Sequence, residues 1–314
     1  MQKMNRMNFK DCIDSYPFIL MEGALGERLK REFDLDISGT VAMADLIYQQ
    51  KGRMALKTLW NEYMDIAHRY QLPFLATTPT RKANKERVYM AGYNESIIAD
   101  NVDFLRTIKE TANVNMYIGG LMGCKGDAYT GEKALNQEEA IAFHSWQAIL
   151  FKSVGVDFLY AGIMPVLSEA IGMAVAMSDT DIPYIISFTI QRNGKLIDGH
   201  TINDAIYYID NHVSNKPVCY MTNCVHPDIV YEALSHKFNQ TQIVKNRFWG
   251  IQANTSRLSY KELDGAKNLH TSSAVDLGKA ILKLKSDYHL KIFGGCCGTD
   301  SRHMEEIAGI SKVV

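Results

Sequence analysis

Eight short apolar runs recur along the chain, and each is followed by a loop rich in glycine or threonine and then by a helix-like stretch. Runs of this length, bounded by turn residues, are typical of buried strands. The eight runs span residues 17–21, 73–77, 115–119, 157–161, 183–188, 217–221, 248–252 and 290–293.

Between the runs, apolar residues recur at spacings of three and four, which predicts amphipathic helices with one buried face. Three such faces stand out: Leu56, Leu59, Trp60, Tyr63, Met64, Ala67 and Tyr70; Phe143, Trp146, Ile149 and Leu150; and Met304, Ile307 and Ala308. Asn193-Gly194 lies between alternating residues after the fifth run and predicts a small β-hairpin there.

Alternating strand and helix patterns predict an α/β fold with a parallel sheet and right-handed crossovers. Eight repeats within 314 residues match a single (β/α)8 TIM barrel, for which about 250 residues is typical. An open doubly wound sheet is the alternative, but no G-x-G-x-x-G motif follows the first run. The expectation is therefore one barrel domain over residues 1–314, with residues 1–16 as an N-terminal leader.

Composition and charge narrow the functional classes. Apolar residues make up 46% of the chain and charged residues 22%, which is typical of a soluble globular protein. A formal net charge of −1 does not favour nucleic acid or an anionic membrane as a partner. No apolar segment approaches the roughly 20 residues that span a bilayer, and the N-terminus lacks a signal-peptide core. The expected location is cytoplasmic, where the six cysteines would stay reduced.

The segment Gly294-Gly295-Cys296-Cys297-Gly298 carries the clearest chemical signal. Adjacent cysteines do not easily form an ordinary disulfide with each other, and the flanking glycines allow a tight turn. Two thiolates on one loop are soft metal ligands, and zinc is the usual choice. Cys224 ends another apolar run and is the candidate third ligand. Three thiolates with one open position indicate a catalytic zinc site.

The barrel prediction brings these cysteines together. Active sites of this fold lie at the C-terminal ends of the strands. Cys224 follows the sixth run, and Cys296 and Cys297 follow the eighth, so all three are expected on the catalytic face. Cys219 is interpreted as a core residue and Cys12 as part of the leader, and Cys124 is not favoured as a fourth metal ligand, although its loop faces the same end of the barrel. Three histidines are interpreted as surface or helix-end residues: His144, His226 and His303.

With these residues, the chain resembles the homocysteine S-methyltransferase family, from about Phe18 to Ile307. Gly294–Gly298 and Asn223-Cys224 match the zinc-binding cysteines of that family, which are Cys224, Cys296 and Cys297 here. The segment after the first run, with Glu22-Gly23, is similar to the family's opening Asp-Gly motif. Thr78 and Thr80 match its Thr-x-Thr after the second strand. The resemblance implies substrate contacts by Glu22, Gly23, Thr78, Thr80, Gly162 and Asn223.

Two positions depart from the family pattern. The first-strand Asp that contacts the amino acid substrate is Glu22 here, which keeps the charge and adds one methylene. The family's Glu at the end of the fourth strand, which holds the substrate amino group, is replaced by Gly162. Losing that carboxylate would cost several kcal/mol unless Glu22, Glu169 or another residue compensates.

The resemblance implies a zinc-dependent transfer of a methyl group to homocysteine, giving methionine. Sulfonium donors such as S-methylmethionine or S-adenosylmethionine fit the compact length best, and Tyr129, Tyr160 and Phe188 are candidate aromatic neighbours for a cationic donor. The expected partners are a small thiol and a methyl donor, and homo-oligomerisation is compatible with the sequence. Two alternatives stay open: methyl transfer to a different small thiol, motivated by Gly162, and a non-catalytic zinc or thiol sensor.

Overall fold

The computed structural model describes residues 7–258 and 271–313, and in it the eight apolar runs form eight parallel strands. The first strand pairs with both the second and the eighth, so the sheet closes into a barrel. The closed ring confirms the (β/α)8 prediction and excludes the open sheet. The strands are β1 (Ile19–Met21), β2 (Phe74–Thr77), β3 (Met116–Gly123), β4 (Phe158–Met164), β5 (Tyr184–Phe188), β6 (Cys219–Val225), β7 (Phe248–Ala253) and β8 (Ile292–Gly295).

Helices alternate with the strands and cover the outside of the barrel. They are α1 (Phe9–Ser15), α2 (Gly26–Phe33), α3 (Gln50–Tyr70), α4 (Lys85–Met90), α5 (Ser96–Glu110), α6 (Gln137–Val154), α7 (Leu167–Ser178), α8 (Ile202–His212), α9 (Pro227–Ser235), α10 (Gln242–Arg247), α11 (Ala274–Tyr288) and α12 (Ser301–Gly309). Side-chain caps define several starts; Asn136, for example, accepts from the amide of Glu139. Of the helices in the described ranges, none combines the length and apolarity needed to cross a membrane.

The predicted helix faces are only partly confirmed. The face of α3 is correct, since six of its seven predicted residues, all but Tyr70, are buried against the barrel. The face of α6 is wrong, because Ile149 is 59% exposed and the helix instead buries His144 and Gln147. Both polar side chains find partners there: Gln147 donates to the carbonyl of Thr80, and His144 contacts Glu169. Satisfied hydrogen bonds allow polar residues on a buried face.

Three strands extend three or four residues beyond their apolar runs toward the C-terminal end of the barrel. β3, β4 and β6 continue to Gly123, Met164 and Val225, so Gly162 and Cys224 lie inside strands and not in the loops that follow them. The register of β4 shifts between Ala161 and Met164, and that of β6 shifts between Asn223 and Val225. These bulges re-aim the residues at the barrel mouth.

The predicted hairpin after β5 is confirmed in a reduced form. Ile190 and Leu196 form an antiparallel bridge, and Gly194 between them has a φ of +79°. A left-handed residue at that position is what an Asn-Gly turn supplies.

Candidate metal centre and its cleft

Three cysteine sulfurs converge at the C-terminal end of the barrel. The Sγ atoms of Cys224, Cys296 and Cys297 all lie within 4.8 Å of one another, and those of Cys224 and Cys297 are 3.5 Å apart. They come from β6 and from the loop after β8, as the strand-end argument predicted. The one correction to their placement is that Cys224 belongs to the last residues of β6 itself.

Backbone hydrogen bonds fix the loop that carries the adjacent pair. The amide of Cys296 donates to the carbonyl of Ala253 at the end of β7, and the carbonyl of Cys297 accepts from the amide of Thr255. Gly298 closes the turn with a φ of +82°, and a Cβ there would lie 2.0 Å from Thr255 Oγ1. Only glycine therefore lets the loop fold back this closely.

Cys224 itself has a left-handed backbone, with a φ of +62°. Ile163, at the bulge of β4, shares this conformation with a φ of +58°, which is rare for a β-branched residue. The Oδ1 atom of Asn223 accepts hydrogen bonds from the Ile163 amide and the Ser187 hydroxyl, and so ties β4, β5 and β6 together. Strained backbone held by such bonds is typical of functional sites.

Two side chains donate hydrogen bonds to the sulfur of Cys224: the hydroxyl of Tyr129 at 3.3 Å and the amide of Asn254 at 3.6 Å. Hydrogen bonds from Cys296 and Cys297, and then from Tyr129, hold the pKa of Cys224 well below its ordinary value, although burial raises it. The proton shared with Cys224 raises the pKa of Cys296 and Cys297 in turn. The cluster thus stabilises at least one thiolate.

The spacing of the sulfurs fits a metal ion. Because a zinc–sulfur bond is about 2.3 Å long, tetrahedral zinc separates its thiolate ligands by about 3.8 Å. The Cys224–Cys297 separation of 3.5 Å is close to this value, and the limit of 4.8 Å on all three pairs requires only small movements. The arrangement could hold a soft cation through three ligands, which would leave one coordination position for a further ligand.

A cleft of about 400 Å³ opens directly above the cysteines. Cys296, Cys297 and Tyr129 line its floor, together with Tyr160, whose hydroxyl donates to Gln252 Oε1. Four of the six predicted substrate-binding residues also line it: Glu22, Gly23, Thr78 and Asn223. The cleft has the size of a site for a small molecule.

Glu22 is the buried acid of this cleft. Its carboxylate accepts hydrogen bonds from Trp60 Nε1 at 2.7 Å, from the Thr77 amide at 3.0 Å and from the Thr77 hydroxyl. Burial raises the pKa of Glu22 to about 7, against its ordinary value of 4.5, although these hydrogen bonds lower it. Glu22 is therefore partly protonated near neutral pH.

Other predicted residues lie outside the lining that the described residues give this cleft. Thr80 is fully buried and donates to the carbonyl of Leu121, and Gly162 lies in β4, where a Cβ would meet Leu121 Cδ1 at 2.8 Å. Phe188 is in the core, stacked on Tyr220. The suggestion that Glu169 compensates for Gly162 is wrong, because its carboxylate is fully buried and binds the Lys125 and Leu135 amides.

The histidines also differ from expectation, since all three are buried. His144 is in the middle of α6, with its Nε2 atom 3.1 Å from Glu169 Oε1. His226 caps the start of α9, and His303 lies in the first turn of α12 beside Asp300. The helix-end interpretation holds for the last two, but the surface interpretation is wrong. Each is buried because its ring nitrogens have hydrogen-bond partners.

The sequence interpretation missed three cationic residues that line the cleft: Lys30 on α2, and Arg81 and Lys82 after β2. Arg81 and Lys82 directly follow the Thr-x-Thr segment, so their position after a strand end was a usable signal. Lys30 carried none, because its approach to the cleft depends on how α2 packs.

The fold and the site together define a parallel (β/α)8 barrel in which three cysteines at the C-terminal end of the strands could hold a metal ion. The family model for homocysteine S-methyltransferase matches residues 19–310. The chain is 21% identical over 320 residues to homocysteine S-methyltransferase YbgG of Bacillus subtilis (strain 168), covering 96% of each protein.

Solved structures agree in fold. The metallated form of the homocysteine methyltransferase MmuM from Escherichia coli superposes with a TM-score of 0.74 at 18% identity, covering 95% of this chain and 97% of that one. Its apo form gives a TM-score of 0.65 at 16% identity. With the family match over most of its length, this chain belongs to the homocysteine S-methyltransferase family and is a methyltransferase that acts on small molecules.

Proposed function

We propose that this protein transfers a methyl group from a sulfonium donor, such as S-methylmethionine or S-adenosylmethionine, to the sulfur of homocysteine, with zinc held by Cys224, Cys296 and Cys297. The observation that carries the proposal is the convergence of these three sulfurs, with Cys296 and Cys297 lining the small-molecule cleft. When bound there, zinc would deprotonate the acceptor thiol, which is otherwise only about 3% ionised at pH 7 given a pKa near 8.5.

Side chains of the cleft supply the remaining requirements. Three donors occupy the carboxylate of Glu22, which has about four acceptor sites, so one is left for the ammonium group of an amino acid substrate. That contact would favour the ionised form of Glu22, whose pKa of about 7 allows either state. Gly23, Thr78 and Asn223 complete the wall against which the acceptor lies.

Alignment of the two reactants contributes more to the rate than ionisation of the acceptor thiol. Holding two reactants in line can lower a barrier by about 7–11 kcal/mol, more than ionisation of a thiol supplies. Tyr129 and Tyr160 present aromatic rings at the floor, where a sulfonium would be stabilised by their faces. The three cysteine thiolates add negative charge beside that cation.

The test is a methyl-transfer assay with a panel of donors and thiols on reduced protein of known metal content. The wild type should contain close to one zinc per chain and produce methionine from homocysteine and S-methylmethionine. Cys297→Ala removes one of the ligands and should lose both zinc and at least 100-fold in turnover, while the far-ultraviolet circular dichroism stays unchanged.

Cys124→Ala is the matched control. Its sulfur lies near the cluster but donates to the carbonyl of Gly126, and it is not one of the three converging thiols. The control should keep metal and activity. Zinc-free wild-type protein that methylates homocysteine, or full activity in Cys297→Ala, would refute the ligand assignment, and zinc-loaded protein inactive with every donor would support a sensor.

A further inference from the structure

A group of three positive side chains lines one wall of the cleft; we call Lys30, Arg81 and Lys82 the basic rim. Lys30 comes from α2, and the other two follow β2. Lys30 and Lys82 are exposed, whereas Arg81 is half-buried and packs its side chain against Gly123. The three residues approach the same space as the cysteines and Glu22, so their charge acts on whatever binds there.

The positive charges are close enough to repel one another. The pKa of Lys82 is lowered, first by partial burial and then by the positive charges of Arg81, Arg87 and Lys30. Within residues 7–258 and 271–313, the side-chain nitrogens of the basic rim form no hydrogen bond or salt bridge. Like charges gathered around a cleft raise the free energy of the empty site, and a bound anion relieves that repulsion.

The nearby acids Asp36 and Asp127 attract the basic rim through their charge, but within the described residues no acid forms a salt bridge with it. Glu27, which lines the cleft, pairs with Arg31 at 2.9 Å, and Glu86 pairs with Lys125 at 2.9 Å. The Oδ1 atom of Asp127, the other acid near Arg81, accepts the amides of Tyr129 and Thr130. The fourth cation, Arg87, donates to the carbonyl of Thr40 at 3.3 Å. The basic rim therefore has spare charge for a ligand.

We propose that the basic rim is the carboxylate-binding subsite of the cleft, held by Arg81 with Lys82 and Lys30. The inference rests on the proposed function, because an amino acid substrate brings a carboxylate into the cleft. A thiol at the cysteines, an ammonium at Glu22 and a carboxylate at the basic rim give three-point recognition of homocysteine. A guanidinium suits this role because its donors match a carboxylate pairwise.

The first measurement is the Kd of zinc-loaded protein for homocysteine and for 3-aminopropane-1-thiol, which is homocysteine without its carboxylate. Arg81→Gln should raise the Kd for homocysteine about tenfold, the factor that corresponds to 1.4 kcal/mol. The double variant Lys30→Gln/Lys82→Gln changes exposed side chains only, so it should fold normally and weaken homocysteine several-fold. Binding of the aminothiol should not change in either variant.

A second arm separates the acceptor from the donor. The KM for S-methylmethionine is measured at saturating homocysteine in the same variants. A change in homocysteine Kd assigns the bound carboxylate to the acceptor, and a rise confined to donor KM assigns it to the donor. Lys85→Gln, which removes a nearby exposed charge outside the lining of the cleft, is the matched control and should alter neither value.

The proposal is overturned if the Kd for homocysteine and the KM for S-methylmethionine both stay unchanged in the variants. It is also overturned if the affinities for homocysteine and for the aminothiol fall equally. Failure of the proposed function looks different, because the wild-type protein itself would then lack zinc or fail to methylate homocysteine. Binding of 4-mercaptobutanoate, which keeps the thiol and the carboxylate but lacks the amine, still reports on the basic rim in that case. Its affinity should fall in Arg81→Gln and rise at low ionic strength.

Discussion

At the scale of single residues, Glu22 is a buried carboxyl group that can still carry a negative charge in the cleft. Trp60 and Thr77 donate all the hydrogen bonds that the structure gives its carboxylate, yet burial outweighs them and places its pKa at about 7. A carboxyl group with such a pKa changes charge in the range where enzymes usually work. The longer side chain, noted in the sequence as a departure from Asp, is accommodated by the indole of Trp60.

The same pKa predicts how stability depends on pH. Because the folded-state pKa of Glu22 is raised from 4.5 to about 7, the folded protein keeps a proton that the unfolded chain releases. Its contribution is fully present below pH 4.5 and is lost as pH rises through 7, by roughly 3 kcal/mol at 1.36 kcal/mol per pKa unit. Glu22→Gln cannot titrate at this position. Its free energy of unfolding should therefore rise by about this amount, relative to that of wild type, as the pH increases from 4.5 to 8.

Urea unfolding at a series of pH values measures this difference. Glu110→Gln, an exposed acid at the end of α5, reports the general effect of removing one charge. The relevant quantity is the pH dependence and not the absolute stability, because the amide of glutamine also places a donor among donors. Parallel curves for wild type and Glu22→Gln would show that burial does not raise this pKa.

The group of three cysteines and several residues of the cleft, such as Glu22 and Asn223, were within reach of the sequence, whereas the basic rim was not predicted. Two adjacent cysteines lie between glycines, and a third lies at the end of an apolar run. Once a barrel is assumed, these positions predict that the three cysteines lie close together. Lys30 reaches the cleft through the packing of α2, and the contact of Tyr129 with Cys224 depends on loop conformation, neither of which a local pattern encodes. Burial of His144 depends likewise on a partner, Glu169, that is 25 positions away in the chain.

At the scale of elements, the loop between β3 and α6 is held by hydrogen bonds to α7. Glu169 accepts from the amides of Lys125 at 2.7 Å and Leu135 at 3.2 Å, which lie at the two ends of the loop. The loop carries Tyr129, whose hydroxyl reaches the sulfur of Cys224. A buried carboxylate on one helix thus helps to position a side chain beside the three cysteines.

Glu169→Ala should therefore loosen this loop. Two partly buried amides lose their acceptor at a cost of about 1–3 kcal/mol each, so the free energy of unfolding should fall by roughly 2–6 kcal/mol. Hydrogen exchange in residues 124–136 should accelerate more than in the strands. Glu132→Gln, an exposed acid on the same loop, should change neither quantity. Uniform acceleration across the barrel would indicate general destabilisation and not a loop clamp.

The strands show where element prediction ends. All eight were located by their apolar runs, but β3, β4 and β6 extend several residues past them through Gly123, Met164 and Val225. These extensions contain glycines and an asparagine, which have low strand propensity. They stay in the sheet because neighbouring strands supply their hydrogen bonds, and the bulges there give Cys224 its orientation.

At the scale of the whole molecule, the two ends of the barrel have separate tasks. The C-terminal end holds the cysteines and the cleft, while α1 closes the N-terminal end. Phe9 stacks on Phe158 with ring centroids 4.5 Å apart, and its edge meets Tyr117 at 5.8 Å. Lys291 Nζ donates to the carbonyl of Ile13 at 2.6 Å. The segment assigned from sequence to the leader thus contributes to the interior of the barrel.

This division predicts that stability and chemistry respond separately to a change in α1. Phe9→Ala removes a ring that is 3% exposed, and truncation of buried phenylalanine typically costs about 3–5 kcal/mol. The urea midpoint should fall accordingly, whereas zinc content and turnover per folded molecule should match wild type, because the cysteines lie at the opposite end. Lys10→Ala, on the exposed side of the same helix, is the control. An unchanged midpoint would mean that α1 does not close the barrel in solution, and loss of zinc at normal stability would mean that the two ends are coupled.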